Sequence, residues 1–181
     1  KKVVVAVRGM LSRQAFSSKS LKKKCFIYLS KWLGLYNNAT VQATSPQETE
    51  DVKKYLGQET TILEVSNFPR MAQSDVHAAI KKAKGELRMV NIARISPEKN
   101  QLFAIELLTK FNTEGKVMLD LYGPVYNADY WDRCLSEIQR LPKNIQIRHQ
   151  GILDPEDLYK VLAQYHFLLF PSTGENFGHT I

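Results

Sequence analysis

The stretch LRMVNIARISPEKN, residues 87–100, decides the fold class of this chain. Its first half is apolar and suits a buried strand. Its second half holds Ser96-Pro97-Glu98-Lys99, in which a capping residue precedes a proline at the first helical position. The same start signal recurs at Ser45 and Asp154. Apolar strands that alternate with capped helices are typical of a parallel sheet with helices on both faces.

Seven short runs of apolar residues predict strands, and helices fall between most of them. Residues 71–85 indicate only a weak helix or an ordered loop. We therefore expect an α/β protein with a Rossmann-like, doubly wound parallel sheet. The predicted strands are residues 2–7, 39–44, 61–65, 88–93, 117–122, 145–149 and 167–170.

The polar, proline-bearing segment SNFPR at residues 66–70 predicts a domain boundary. We place one part at residues 1–65 and a second at 66–181. The first part holds too few strands to form a doubly wound domain alone. The expectation is that the chain begins inside one domain and continues into another.

Composition excludes several classes of protein. The chain is 44% hydrophobic, and none of its apolar runs reaches the roughly 18–20 residues that a membrane span needs. A cytoplasmic location and two reduced, buried thiols at Cys25 and Cys134 are the expectation. The net charge of +7 comes from the first 47 residues, which hold nine Lys or Arg and no acid. Whole-chain basicity therefore does not indicate nucleic-acid binding.

Residues 18–36 predict an amphipathic, basic helix, because apolar residues recur at three- and four-residue spacing while most lysines lie elsewhere on the wheel. Two interpretations are open. The apolar side packs on the sheet of its own domain, or residues 19–33 face an anionic membrane or a lipid-linked acceptor. The apolar set is Leu21, Cys25, Tyr28, Leu29, Trp32 and Leu33.

Three predicted loops follow strands, and ligands of open parallel sheets bind beyond the carboxyl ends of strands. Arg94 leaves the first such strand, and Lys99 lies in the next helical turn, where a cation calls for a compensating anion. Gly123 permits a sharp turn after the second strand. After the third, PSTGENFG (171–178) offers backbone N–H groups and the carboxylate of Glu175. Ordinary turns, surface ion pairs and a helix-terminal acid are the alternatives.

Other chemistries lack their signals. The four histidines show no metal-ligand spacing and are each interpreted as structural. No phosphate-binding P-loop, dinucleotide-binding glycine motif or serine-nucleophile elbow occurs.

Together these motifs resemble the GT-B glycosyltransferases, in particular the retaining enzymes of family 4. ARISPEKN (93–100) is similar to the family's G-R-x-x-x-x-K-(G/N), LYGP (121–124) to its strand-end glycine loop, and PSTGENFG (171–178) to P-S-x-x-E-x-F-G. RGML (8–11) and VSNFP (65–69) resemble the segment before the family's domain linker and the linker itself.

The resemblance implies roles by position. Arg94 and Lys99 would bind the donor diphosphate and stabilise the departing nucleoside diphosphate without a metal. Glu175 would orient hydroxyl groups of the donor sugar. The remaining donor-binding residues implied are Gly123, Gly151, Ile152, Leu153, Asn176, Phe177 and Gly178.

The resemblance also implies what lies outside the chain. Family members have two Rossmann-like domains, and only the end of the first is expected here. The second glutamate of their E-(x)7-E pair would fall at position 183, beyond Ile181. Two departures are Ala93 for a glycine, tolerable where φ is negative, and Phe68 for the linker glycine.

We therefore expect part of a retaining, metal-independent glycosyltransferase, inactive by itself, that needs no cofactor. Its partners would be a nucleotide-diphosphate sugar and a glycan or lipid-linked acceptor of bacterial, for example capsular, polysaccharide synthesis, with no nucleic acid. The location would be cytoplasmic or peripheral at the inner membrane face. The alternatives are a non-catalytic module that binds phosphorylated ligands or nucleic acid, and a GT-B nucleotide-sugar epimerase.

Overall fold

The computed structural model describes residues 2–12, 20–68 and 80–173. These residues divide into two compact units, one on each side of residues 69–79. The boundary expected at SNFPR reaches into those undescribed residues and stays a prediction.

The first unit is a strand-helix alternation. Its described elements are β1 (Val3–Ala6), α1 (Ser20–Trp32), β2 (Ala39–Ala43), α2 (Pro46–Leu56) and β3 (Ile62–Glu64). The described strands form a parallel sheet in the order β1-β2-β3. Ser45 caps α2 as predicted, because its side chain accepts a hydrogen bond from the Glu48 N–H at 3.3 Å.

A small core holds this unit together: Val7, Leu11, Ile27, Val41 and Val52. β1 is a strand as predicted, but most of it is exposed although its sequence is apolar, since Val3 is 53% and Val4 60% exposed. The physical reason is that β1 is the edge strand of the described sheet. Only Val7, just past the strand, reaches the core.

A buried carboxylate anchors the turn that follows β1. Glu48 is 6% exposed and accepts hydrogen bonds from the Thr44 N–H at 2.6 Å, from the Thr44 hydroxyl at 2.7 Å and from the Gly9 N–H. The turn takes up left-handed backbone at Arg8 (φ 43°) and Gly9 (φ 75°). The RGML motif is thus a tight turn tied to α2 at the carboxyl edge of the sheet.

The second unit continues the alternation. Its described elements are β4 (Glu86–Ile92), α3 (Gln101–Thr109), β5 (Lys116–Tyr122), α4 (Ala128–Ile138), β6 (Ile145–Gly151), α5 (Leu158–Leu162) and β7 (Phe167–Leu168). The described strands are all parallel, in the order β6-β5-β4-β7. The sheet therefore grows in one direction from β4 and then reverses to place β7 on the other side of it. This order is the Rossmann-like, doubly wound arrangement.

The helix start signals at Ser96 and Asp154 begin turns of 3₁₀ helix, Pro97–Lys99 and Pro155–Asp157, before α3 and α5. Asp154 caps its turn through the Glu156 N–H, whereas the Ser96 side chain makes no cap. Within residues 80–85 the structure shows no helix, and the rest of the predicted 71–85 segment lies outside the described residues.

Alternate residues of β5 form the main core with α3 and α4. Tyr130 of α4 fixes α3 by accepting the Leu102 N–H at 2.8 Å, and burial raises the pKa of Tyr130. Burial also raises the pKa of the Cys134 thiol to about 11. Cys25 on α1 is exposed, so the expectation of two buried thiols is wrong for that residue. The core residues of β5 are Val117, Leu119 and Leu121.

Candidate active site

The strand order reverses between β4 and β7, and ligands of open parallel sheets bind in a crevice at the carboxyl end of such a switch point. We therefore expect the site at the chain segments that follow these two strands. The Leu169 N–H donates to the Val90 carbonyl at 2.7 Å, which continues the pairing of the two strands towards this end of the sheet. Two of the three predicted site loops therefore meet at one place.

Arg94 is the first predicted site residue after β4. Its guanidinium pairs with Glu98 at 2.8 Å, and both side chains are almost half exposed. The same group lies 4.9 Å from the centre of the Tyr126 ring. Arg94 is thus at the crevice but engaged with a neighbouring acid, which is the surface ion pair considered as its alternative role.

Lys99 ends the 3₁₀ turn that follows. Its ammonium lies 6.0 Å from the centre of the Phe170 ring, on the segment after β7. Lys99 therefore reaches from the loop after β4, residues 94–100 (the β4 loop), towards the segment after β7, residues 169–173 (the β7 segment). The structure brings the two predicted cations into one loop of seven residues, 94–100.

Asn100 has left-handed backbone, with φ 56° and ψ 34°, and is the N-cap position of α3. Asparagine and glycine tolerate this conformation, which accounts physically for the G/N alternative at this place in the motif. Ala93 is not among the described positive-φ residues, so the departure from glycine there is sterically acceptable.

Side chains and backbone join the β4 loop to the β7 segment directly. The Asn100 amide donates to the Pro171 carbonyl at 3.2 Å, and the Glu98 carbonyl accepts from the N–H and the hydroxyl of Thr173 at 3.1 and 3.2 Å. The start of the PSTGENFG motif is therefore held against the turn that carries Lys99.

Gly123 allows the β5 loop to touch the β4 loop. Its φ is +137°, and a Cβ at this position would lie 2.2 Å from the Ala93 carbonyl oxygen and 2.9 Å from the Arg94 nitrogen. A side chain therefore cannot fit here without displacing the backbone beside Arg94. The predicted glycine has a steric role next to the candidate site.

The β6 end joins the same edge through Gly151, whose carbonyl accepts the Gly123 N–H at 2.7 Å. Ile152 is exposed, Leu153 is half-buried, and neither makes a contact that assigns it a ligand. His149 bonds the Gly123 carbonyl at 2.7 Å and packs on Trp131, which is the structural role expected of it.

Two buried amides that the sequence analysis missed lie beneath the crevice. Asn91 and Gln101 are each 1% exposed. Gln101 donates to the Asn91 side-chain oxygen at 3.3 Å and to the Arg94 carbonyl at 3.0 Å, while Asn91 donates to the Leu169 carbonyl at 2.9 Å. A polar residue inside the apolar run of β4 was the signal available for Asn91.

The predicted residues Glu175, Asn176, Phe177 and Gly178 lie outside the described residues. Within the described ranges no group of three His, Cys, Asp or Glu could hold a metal. No described helix is long and apolar enough to cross a membrane. Two cations on one short loop can bind a multiply charged anion such as a diphosphate.

Solved structures with this architecture are GT-B glycosyltransferases. Anabaena HepE, solved with UDP and glucose, superimposes with a TM-score of 0.66 at 17% identity over 97% of this chain and 48% of its own. A Staphylococcus aureus TarM variant, solved with fondaparinux, a GlcNAc-glycerol and UDP, gives 0.54 at 19% identity, over 78% and 27%. The pneumococcal O-GlcNAc transferase GtfA, solved with UDP and GlcNAc, gives 0.50 at 17%, over 78% and 27%. The chain spans about half the length of HepE.

The fold is therefore that of the GT-B class, and its second unit is Rossmann-like. The chain belongs to the glycosyl transferases group 1 family, whose model matches residues 73–181. This membership confirms the resemblance drawn from the motifs. Comparison with curated protein sequences gives no match.

Proposed function

We propose that this chain is part of a retaining, metal-independent glycosyltransferase that takes its sugar from a nucleotide-diphosphate donor. The observation that most directly supports this proposal is that Arg94 and Lys99 lie on one loop where the strand order reverses, next to the start of the PSTGENFG motif. HepE, TarM and GtfA were each solved with UDP, which supports a nucleotide as the ligand class.

The chemistry that this loop can supply is electrostatic. Breaking the sugar–phosphate bond leaves a nucleoside diphosphate with increased negative charge. A guanidinium and an ammonium held on a short turn can stabilise that charge without reorganising water. Arg94 pairs with Glu98 in this structure. To stabilise the diphosphate, its guanidinium must either bind a phosphate oxygen together with the Glu98 carboxylate or release that carboxylate and bind the phosphate oxygen instead.

The remaining roles follow from the motif. Glu175 would accept hydrogen bonds from donor-sugar hydroxyls, and Asn176, Phe177 and Gly178 would line the sugar and phosphate. Gly151, Ile152 and Leu153 would lie near the nucleotide base. The catalytic assignment is therefore Arg94, Lys99 and Glu175, with Gly123 allowing the backbone beside Arg94 to approach the end of β5.

The test is a transfer assay on the full-length protein with candidate nucleotide sugars, in the presence and absence of EDTA. Product whose anomeric configuration, read by NMR, matches that of the donor supports retention. Activity lost with EDTA and restored by a divalent cation contradicts metal independence. An interconverted nucleotide sugar with no transfer would favour the epimerase, and binding without turnover would favour the non-catalytic module.

We propose further that the acceptor is a glycan or lipid-linked intermediate of polysaccharide synthesis, met at the cytoplasmic face of an anionic membrane through α1. Only a narrow side of α1 is buried, at Ile27 and Ser30. The apolar residues on its opposite side are exposed, with Leu21 at 77%, Tyr28 at 80% and Trp32 at 81%. The apolar set therefore does not pack on the sheet of the described unit.

Lysines border this exposed side of α1 at Lys22, Lys24 and Lys31, all exposed. An apolar, aromatic face edged by lysines matches an interfacial helix, in which each lysine contributes about 1 kcal/mol of attraction to an anionic surface. The charge of the helix thus selects an anionic rather than a neutral surface.

Cys25 is an exposed native site for testing this contact. A polarity-sensitive fluorophore on Cys25 should shift to the blue with vesicles that contain phosphatidylglycerol and not with pure phosphatidylcholine. Lys24→Glu together with Lys31→Glu should abolish the shift. An equal response to both vesicles, or none to either, would rule out an anionic membrane contact.

A further inference from the structure

Two segments that form the candidate crevice meet over a buried pair of amides, Asn91 in β4 and Gln101 at the start of α3. Both side chains are 1% exposed. Buried amides remain only where their hydrogen bonds are made, since an unpaired one costs about 1–3 kcal/mol. The contacts of this pair therefore show what the pair holds in place.

Gln101 reaches into the β4 loop. Its amide nitrogen donates to the Arg94 carbonyl at 3.0 Å, and its amide oxygen lies 3.4 Å from the Ser96 nitrogen. The backbone on both sides of Ile95, itself fully buried, is thus bonded to one side chain. The direction in which the Arg94 side chain leaves the loop depends on this backbone.

Asn91 connects the same system to the β7 segment. Its oxygen accepts from Gln101 at 3.3 Å, and its nitrogen donates to the Leu169 carbonyl at 2.9 Å. Because the amide has one acceptor and one donor end, each used by a different segment, its orientation is determined. A chain of hydrogen bonds thus runs from the Arg94 backbone through Gln101 and Asn91 to the segment leading into PSTGENFG.

We propose that Asn91 and Gln101 are positioning residues that hold Arg94 and the segment after β7 in the single arrangement that binds the donor diphosphate. Neither residue is exposed enough to reach a ligand. Their effect is exerted through the Arg94 and Leu169 carbonyls. The identity of the ligand in this inference rests on the proposed function, whereas the coupling of the two segments does not.

The first arm of the test uses no ligand. Gln101→Met preserves length and apolar volume but removes the amide. Hydrogen–deuterium exchange of backbone amides at residues 169–173 should speed up at least about tenfold in this variant. Val117→Ala, a core truncation at the start of β5, is the control for general destabilisation. When the variants are compared at an equal loss of melting temperature, residues 169–173 should exchange more slowly in Val117→Ala than in Gln101→Met. Equal exchange in both variants would overturn the coupling.

The second arm measures UDP affinity by calorimetry in the wild type, Gln101→Met, Arg94→Ala and the double variant. Gln101→Met should weaken binding at least about fivefold, and should add little further loss in the Arg94→Ala background, because both changes act on one group. Additive losses, or unchanged affinity in Gln101→Met, would overturn the inference. If the wild type binds no nucleotide while residues 169–173 still respond in the first arm, the coupling stands and the proposed function fails.

Discussion

At the scale of single residues, Gly123 is a position where backbone contact leaves no room for a side chain. A Cβ would lie 2.2 Å from the Ala93 carbonyl oxygen, and the φ of +137° is unfavourable for any side chain. We expect Gly123→Ala to lower the free energy of unfolding by about 3 kcal/mol or more, measured by urea denaturation.

Gly85→Ala is the matched control for that change. Gly85 also has positive φ, +78°, but a Cβ added there would meet no neighbouring atom of the described residues within 4 Å. Only the backbone term of about 1–2 kcal/mol should remain at this position. Equal losses at Gly85 and Gly123 would show that the contact with the β4 loop is unimportant.

Glu98 competes with any anion for Arg94, since the two side chains pair at 2.8 Å. The pair is almost half exposed, so its worth is about 1 kcal/mol or less. Glu98→Gln should therefore strengthen UDP binding by up to about fivefold in calorimetry. Weaker binding in this variant would mean that Glu98 orients Arg94 rather than competing for it.

At the scale of elements, a buried carboxylate on β5 ties the segment before β7 to the sheet. Asp120 is 3% exposed and accepts the Tyr165 hydroxyl at 2.7 Å and the Gln150 amide at 3.0 Å, while Arg148 lies 3.2 Å away. Tyr165→Phe should cost about 1–3 kcal/mol of unfolding free energy at pH 7, because a bond to a charged acceptor is lost.

The same tyrosine predicts a pH dependence. Burial is the largest cause that raises the pKa of Tyr165 above its ordinary value, and the hydrogen bond to Asp120 is the second. An acid whose pKa is raised in the folded state stabilises the fold fully below its unfolded pKa and progressively less above it. Wild-type stability should therefore fall as pH rises past about 10, and less steeply in Tyr165→Phe. Parallel pH curves for the two proteins would contradict this.

The sequence predicted those features of each element that leave a local pattern of residue types, and not those that depend on contacts made by the fold. The runs at β4 and β5 predicted strands because apolar, β-branched residues on buried strands leave a local signal. The periodicity of α1 predicted a helix, but not that its apolar side is exposed, because a period shows only that residues share a face. The polar Asn91 inside the apolar run of β4 was visible in the sequence, but its pairing with Gln101 could not be predicted, since the partners of both amides are backbone groups brought together by the fold.

At the scale of the whole molecule, the two cysteines differ in exposure, so that Cys134 reports on the integrity of the second core and Cys25 serves as the internal reference for labelling. Cys25 is exposed on α1, whereas Cys134 is buried in the second core with its pKa raised to about 11 by burial. Iodoacetamide at pH 8 should label Cys25 and leave Cys134 unmodified in the folded chain, as read by peptide mass spectrometry. Comparable labelling of both would show that the second core opens readily.

The central claim is that the loop bearing Arg94 and Lys99 binds a nucleotide diphosphate, and its most direct test is a thermal-shift panel with UDP, GDP, ADP and their sugar conjugates. Ligand at about 100 times its dissociation constant should add about 2.7 kcal/mol of stability. One base should stabilise the wild type, and Arg94→Ala and Lys99→Ala should each abolish the effect. The matched controls Arg140→Ala, an exposed arginine that also pairs with a nearby acid at 2.6 Å, and Lys143→Ala should retain it. Stabilisation that survives in Arg94→Ala and Lys99→Ala, or that no nucleotide produces, would contradict the account.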